Sequence, residues 1–176
     1  MAKTKKPTTV QTPAPLTGAD FYFAKYAATH QQPTNKLIHF ICIPLLILSF
    51  MGLLWVIPFP YIKFLGAYNA DFNWSSFFIA ACIYFYLKLS PISSYFMLLI
   101  LFLFSYAITL AAQGEKTGGP SLAMLSAIVF FISVILLYVS YKKEGKKLSV
   151  EYRYKNILIA PLYMLHLVLS KLSIKH

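Results

Sequence analysis

The chain has 176 residues, 59% hydrophobic and only 12% charged, with a mean hydropathy of +0.65 and a formal net charge of +11. Soluble domains carry about a quarter charged residues, so this composition excludes an ordinary soluble fold and indicates one membrane domain. The positive charge lies between apolar runs, with no basic-aromatic soluble module around it. That excludes a nucleic-acid-binding domain and favours orientation beside anionic lipid.

Residues 1–17 hold Lys3, Lys5 and Lys6, then Pro7, Pro13 and Pro15 among threonines. No apolar core of a secretory signal follows. They read as a disordered tail ahead of a single membrane domain over residues 18–176. Phe21, Tyr22, Phe23 and Tyr26 around Lys25 predict a short amphipathic helix over Ala19–His30, lying at the membrane surface with its aromatics at headgroup level. Pro33 breaks it, because Gln32 before the proline is biased away from the helical region.

Leu37–Ile57 is the first span, about 31 Å long as a helix. Pro44 should kink it, and Pro58 and Pro60 end it. A shorter second span runs from Phe72 to Leu87, with Trp74 and Tyr86 as interface anchors. After the Ser90-Pro91 turn, Ile92–Ala112 forms the third. Gln113–Pro120 reads as a loop by composition. Leu122–Tyr141 forms the fourth, ending at the basic Lys142–Lys147 run. Asn156–Ser170 is short for a crossing and contains Pro161. It reads as a re-entrant or interfacial segment, with a fifth crossing as the alternative.

The expected fold is therefore an all-α polytopic helical bundle of four spans, with a surface helix before them and that apolar segment after. Every one of the sixteen Lys and Arg except Lys63 and Lys116 then falls on one face. By the positive-inside rule both termini are cytoplasmic, in a bacterial inner membrane or an endoplasmic reticulum.

Imidazoles at the mouth of an apolar span are costly to place, which makes His30 and His39 candidates for metal ligation or proton transfer. Nine residues apart, they would oppose each other on one unbroken helix. The Pro33 break lets the surface helix fold back so that they converge. Asn35 shares a face with His39, and Asn35 or Tyr26 could supply an orienting hydrogen bond. Two histidines do not complete a non-haem site, and a pair of interfacial imidazoles bonded to backbone carbonyls fits the spacing as well. Cys42 and Cys82 lie inside apolar runs without metal-ligand spacing and read as small buried hydrophobes. The Lys142–Lys155 cluster reads first as a topology determinant, with a substrate carboxylate as its other possible partner.

The stretch Tyr26-x3-His30-x2-Pro33-x-Asn35-x3-His39-x4-Pro44-Leu45 resembles the opening motif of the small membrane family of 2-hydroxy-fatty-acid dioxygenases. Glu144-Gly-Lys-Lys147 and Ala160-Pro161-Leu162 resemble its closing segment, and motif order agrees over about residues 19–172. The resemblance implies an iron(II)-dependent dioxygenase that uses O₂ to shorten 2-hydroxy long-chain fatty acids by one carbon in α-oxidation. It implies His30 and His39 as Fe2+ ligands, Tyr26 and Asn35 as their supports, and Glu144 nearby. The chain departs from the family where Ser140-Tyr141 stand for the usual Gly-His, Leu137 for Gln and Leu148 for Pro. One expected ligand is thus replaced, with Tyr141 as a phenolate substitute or metal binding impaired. His166 is a conceivable replacement, while His176 reads as solvated. Two further readings accompany the dioxygenase. One is a non-catalytic relative that binds lipid or a partner; the other is a haem-binding electron carrier, since paired histidines in a bundle can ligate haem.

Overall fold

Proline and glycine punctuation divides this apolar sequence into helices, and the computed structural model follows it closely. It describes residues 18–29, 32–144 and 150–171. The helices are α1 (Ala19–Thr29), α2 (Pro33–Val56), α3 (Trp74–Leu89), α4 (Pro91–Lys116), α5 (Leu122–Glu144) and α6 (Val150–Lys171), with a 3₁₀ segment at Lys63–Asp71 between α2 and α3. No strand occurs among the described residues. The N-terminal tail, His30 and residues 145–149 lie outside them.

Each boundary has a local cause. Pro33 and Pro91 open α2 and α4 at positions where a missing N–H costs nothing. The Asn73 side chain accepts from the Ser76 N–H at 3.2 Å, which starts α3 at Trp74, two residues later than hydropathy suggests. Gln113–Lys116, expected as loop, instead continue α4, because Gln, Glu and Lys are good helix formers after two alanines. The stop is a glycine cap. Gly118 sits at φ 94°, its N–H donating to Glu115 at 3.1 Å while the Gly119 N–H donates to Gly114 at 2.9 Å. The Glu115 carboxylate then accepts from the Leu122 N–H at 3.1 Å, so one residue closes α4 and opens α5. The C-terminal apolar segment belongs to a longer helix, α6, which starts well before Asn156.

α2, α4 and α5 are long and apolar enough to cross a membrane, while α3 and the Ile159–Val168 part of α6 are shorter. Leu99, Phe102 and Leu103 on α4 and Phe131, Ile132 and Ile135 on α5 are all exposed. Such continuous apolar faces suit lipid and would be unfavourable in water. The protein is a helical membrane protein.

The bundle has two ends. At the far end Ser75 donates to the Met51 carbonyl at 2.5 Å and Trp74 Nε1 to the Pro58 carbonyl at 3.2 Å. At the other end, the rim, Gln32 donates to the Lys143 carbonyl at 3.4 Å, and a Cβ on Gly18 would stand 4.0 Å from the Leu89 carbonyl. α1 therefore lies across the rim, from the α3–α4 turn to the start of α2. The described side chains of α6 pack in the rim-side half. Ala160 and Tyr163 meet Tyr26, Cys42 and Ile43, while Ile159 and Leu162 meet Phe23, Tyr86 and Met97. No described α6 side chain joins the far-end cluster of Met51, Leu101, Ile108 and Leu122.

α2 and α5 form the tightest pair. Ser126, Ser133 and Ser140, spaced by heptads on α5, are all buried, as are Asn35, Cys42 and Ser49 at the same spacing on α2. In lipid, helices associate through close packing rather than a hydrophobic drive, and small residues permit that approach. Gly52 shows how close it is: a Cβ there would stand on Ser126 Oγ and 3.2 Å from Ser126 Cβ. Gly52→Leu should therefore destabilise the protein by about 1–3 kcal/mol through overpacking. Gly52→Ala should cost less, and Ser126→Ala should partly rescue it by removing the hydroxyl. Melting of the single and double variants in detergent checks this; a Gly52→Leu protein as stable as wild type would refute the close seam.

Candidate functional site

α1, which ends at Thr29, lies back over the start of α2 at Pro33, so the aromatic face of α1 meets the polar first turns of α2. Tyr26, Asn35 and His39 become buried together, each no more than 3% exposed. The Tyr26 hydroxyl lies 2.9 Å from His39 Nδ1, with the two rings edge to face at 6.2 Å. Asn35, one turn earlier on the same buried face of α2, directs its amide oxygen to α5, where it accepts a hydrogen bond from the Ser140 hydroxyl. That contact ties α2 to the end of α5 and brings the next residue, Tyr141, edge-on to His39 with ring centroids 5.4 Å apart. Tyr163 of α6 closes the group against Tyr26 at 4.8 Å.

The electrostatics follow from burial. Loss of water, then the nearby phenols of Tyr141 and Tyr163, push the Tyr26 hydroxyl well above the ordinary phenol range. Tyr26 thus stays protonated and acts on His39 as a neutral hydrogen-bonding partner. In the tautomer where Nδ1–H donates to Tyr26, the His39 Nε2 atom, itself buried, carries the lone pair. That is the arrangement of a metal-ligating imidazole, whose other nitrogen is fixed by an outer partner. The Tyr141 hydroxyl is buried as well.

The donor set contains groups of the right kind for a ferrous ion: an oriented imidazole and a phenol beside it. Among the described residues no three His, Cys, Asp or Glu side chains gather as a metal cluster. His30, next after the last residue of α1, and the Glu144 side chain both lie outside the described residues. His166 stacks on Phe23 at 4.7 Å, one turn along α1 from Tyr26.

A cavity of about 360 Å³ opens beside the cluster, lined by Tyr26, Pro33, Lys36, Leu37, Phe40 and Tyr163 together with Met164 and Leu167. It has the size of a small-molecule site, mostly apolar with Tyr26, Lys36 and Tyr163 as its polar lining. Ser140, Tyr163 and Lys36 did not emerge as site residues from sequence. Ser140 carried a usable signal, as the last of three serines at heptad spacing in an apolar helix. Tyr163 carried none beyond being an aromatic near a proline.

The model of the 2-hydroxy-palmitic acid dioxygenase Mpo1-like family matches residues 16–172. The chain belongs to that family. Neither the curated proteins nor the solved structures contain a match.

The Tyr26–His39 contact generates a direct expectation. Tyr26→Phe keeps the ring and deletes the hydroxyl, removing the buried hydrogen bond to His39 at a cost of about 0.5–1.5 kcal/mol. Tyr26→Ala should cost more, because the ring contact with Tyr163 is lost too. Melting in detergent measures both, and a Tyr26→Phe protein with wild-type stability would separate the phenol from His39.

Proposed function

We propose that the protein is an iron(II)-dependent dioxygenase that shortens 2-hydroxy long-chain fatty acids by one carbon at the cytoplasmic rim of its bundle. The observation that carries this reading is the buried His39 imidazole, hydrogen-bonded at Nδ1 by a protonated Tyr26 beside an apolar cavity. Family membership supplies the substrate class. In this reading His30 and His39 hold Fe2+, Tyr141 occupies the place of a third ligand, and Asn35 and Glu144 support the set.

A bound ferrous ion would supply O₂ activation and polarise the 2-hydroxy-carboxylate. The chain's own contributions are separate from that. Tyr26 orients His39, fixing which ring nitrogen faces the reacting groups. Asn35, anchored on Ser140, holds the first turn of α2 against α5 and so sets the distance between His39 and Tyr141. Tyr163 and the α1 lid keep water from the buried face of the cluster. The bond between C1 and C2 breaks and C2 becomes the new carboxyl carbon. With carbon dioxide as the one-carbon product, one O₂ and one released water balance the atoms.

The replacement of the family's usual histidine by Tyr141 favours a second reading, in which the scaffold persists without turnover and binds lipid. The two readings are separated by assay. Purified protein given iron(II), O₂ and a 2-hydroxy long-chain acid should yield the acid one carbon shorter. His30→Ala and His39→Ala should each abolish the product. Tyr141→Phe should do the same if the phenol contributes a ligand, whereas Tyr141→His should raise the rate if the tyrosine is a poor substitute. Activity that survives both histidine substitutions would remove the rim histidines from the chemistry. No product from wild type or Tyr141→His would favour the non-catalytic scaffold.

Orientation follows from the basic rim. With both termini and the segment between α5 and α6 cytoplasmic, a cysteine placed at position 146 should resist impermeant thiol reagents added outside intact cells. Efficient labelling there would invert the topology.

A further inference from the structure

Two cavities meet along the α2–α6 face. The outer one, beside the rim cluster, has a volume of about 360 Å³ and includes the exposed Lys36 in its lining. The inner one, about 280 Å³, lies deeper between α2, α4 and α6 and is almost wholly apolar, with Pro44, Ile100, Phe104 and Pro161 among its walls. Phe40 and Met164 line both. The two side chains stand at the junction of one groove rather than between two unrelated pockets. Both helix-interior prolines line the inner part. Proline interrupts the helical ladder and bends the backbone, and here the interruptions of α2 and α6 fall at the same cavity.

We infer that this groove is a chain-length-measuring site for a single fatty acyl tail, with Phe40 and Met164 dividing its proximal from its distal half. The inference rests on the proposed use of 2-hydroxy fatty acids and goes beyond it by fixing where the tail lies and which residues set its length. Charge identifies which end lies where. Lys36, an exposed cation in the first turn of α2, lines the outer part together with Tyr26, so an anionic carboxylate belongs there and the tail runs inward past Phe40. Length agrees. From Lys36 to Ile47, the innermost α2 residue of the groove, the helix rises about 17 Å. One leaflet of an apolar core about 30 Å thick spans a similar depth, so the groove matches one long acyl chain. Its open side faces lipid, where Phe40 is 53% exposed, and gives a tail in the bilayer lateral access.

The test uses full-length protein in phosphatidylcholine nanodiscs, so that bilayer phospholipid is present as a competitor throughout. A 2-hydroxypalmitate analogue with a diazirine at its terminal carbon is photolysed and the labelled peptides are mapped. Label is expected on α4 at Met97, Ile100 or Phe104, suppressed by unlabelled 2-hydroxypalmitate and weakened by Lys36→Glu but not by Lys36→Arg. Label outside the groove, or label that free 2-hydroxypalmitate does not suppress, would overturn the inference; the second result would mark the groove as a seat for bilayer lipid.

Turnover gives the second arm. Ile100→Trp fills the inner half and should lower kcat/KM for 2-hydroxypalmitate by at least about tenfold while sparing 2-hydroxyoctanoate. Ile100→Phe serves if the larger ring prevents folding. Equal losses for both acids in a variant that melts like wild type would overturn the ruler. Groove labelling without turnover in any variant would uphold the site and remove the proposed reaction, so the two can fail separately.

Discussion

α2 and α5 run antiparallel in a close seam, and the rim cluster takes its geometry from how that seam is registered. The Asn35–Ser140 hydrogen bond sets its register at the rim. Counting inward by heptads from that pair brings Cys42 to Ser133 and Ser49 to Ser126, and the contact of Gly52 with Ser126 confirms the approach at the far end. A hydrogen bond between membrane helices contributes on average about 0.6 kcal/mol, so Asn35–Ser140 specifies register more than it stabilises. The packing of small side chains along the seam supplies the stability. Slipping α5 by one residue would turn Ser140 away from Asn35 and carry Tyr141 off His39. The rim cluster is therefore a consequence of the seam.

α1 completes what the seam begins. A histidine in the first turns of a span would ordinarily reach water at the interface, but His39 is covered by a helix laid across the rim. The Tyr26 ring supplies apolar cover and its hydroxyl a polar partner, which is what burying an imidazole requires. α6 backs this lid, with Tyr163 against Tyr26 and His166 against Phe23. The lid, the seam and the α2–α6 groove meet at two turns of α2. Its buried face presents Asn35 and His39, and its lipid side presents Lys36 and Phe40.

Much of this was legible in the sequence because it depends on strong local signals. Pro33 breaks the chain where expected, and the spacing of Tyr26, Asn35 and His39 around that break brings the three together. The helical order and the apolar character of the spans follow from hydropathy alone. Other features depend on geometry that composition hides. Gly114, Gly118 and Gly119 look alike in sequence, yet only the last two form the cap, and Gly114 is helical. The aromatic 3₁₀ segment at Lys63–Asp71 has no apolar period to announce it. Buried serines in an apolar helix look unremarkable singly; only their heptad spacing marks a seam, and it takes the partner helix to show its use. Lys36 reads as one more topology charge until the cavity beside it is seen.

The proposed function requires the rim cluster to hold iron through His39. Metal analysis of protein purified without oxygen, wild type beside His39→Ala, measures this. About one iron per chain is expected in the wild type, lost in the variant while the helical fold persists. Wild-type protein without iron, or equal iron in both proteins, would contradict it.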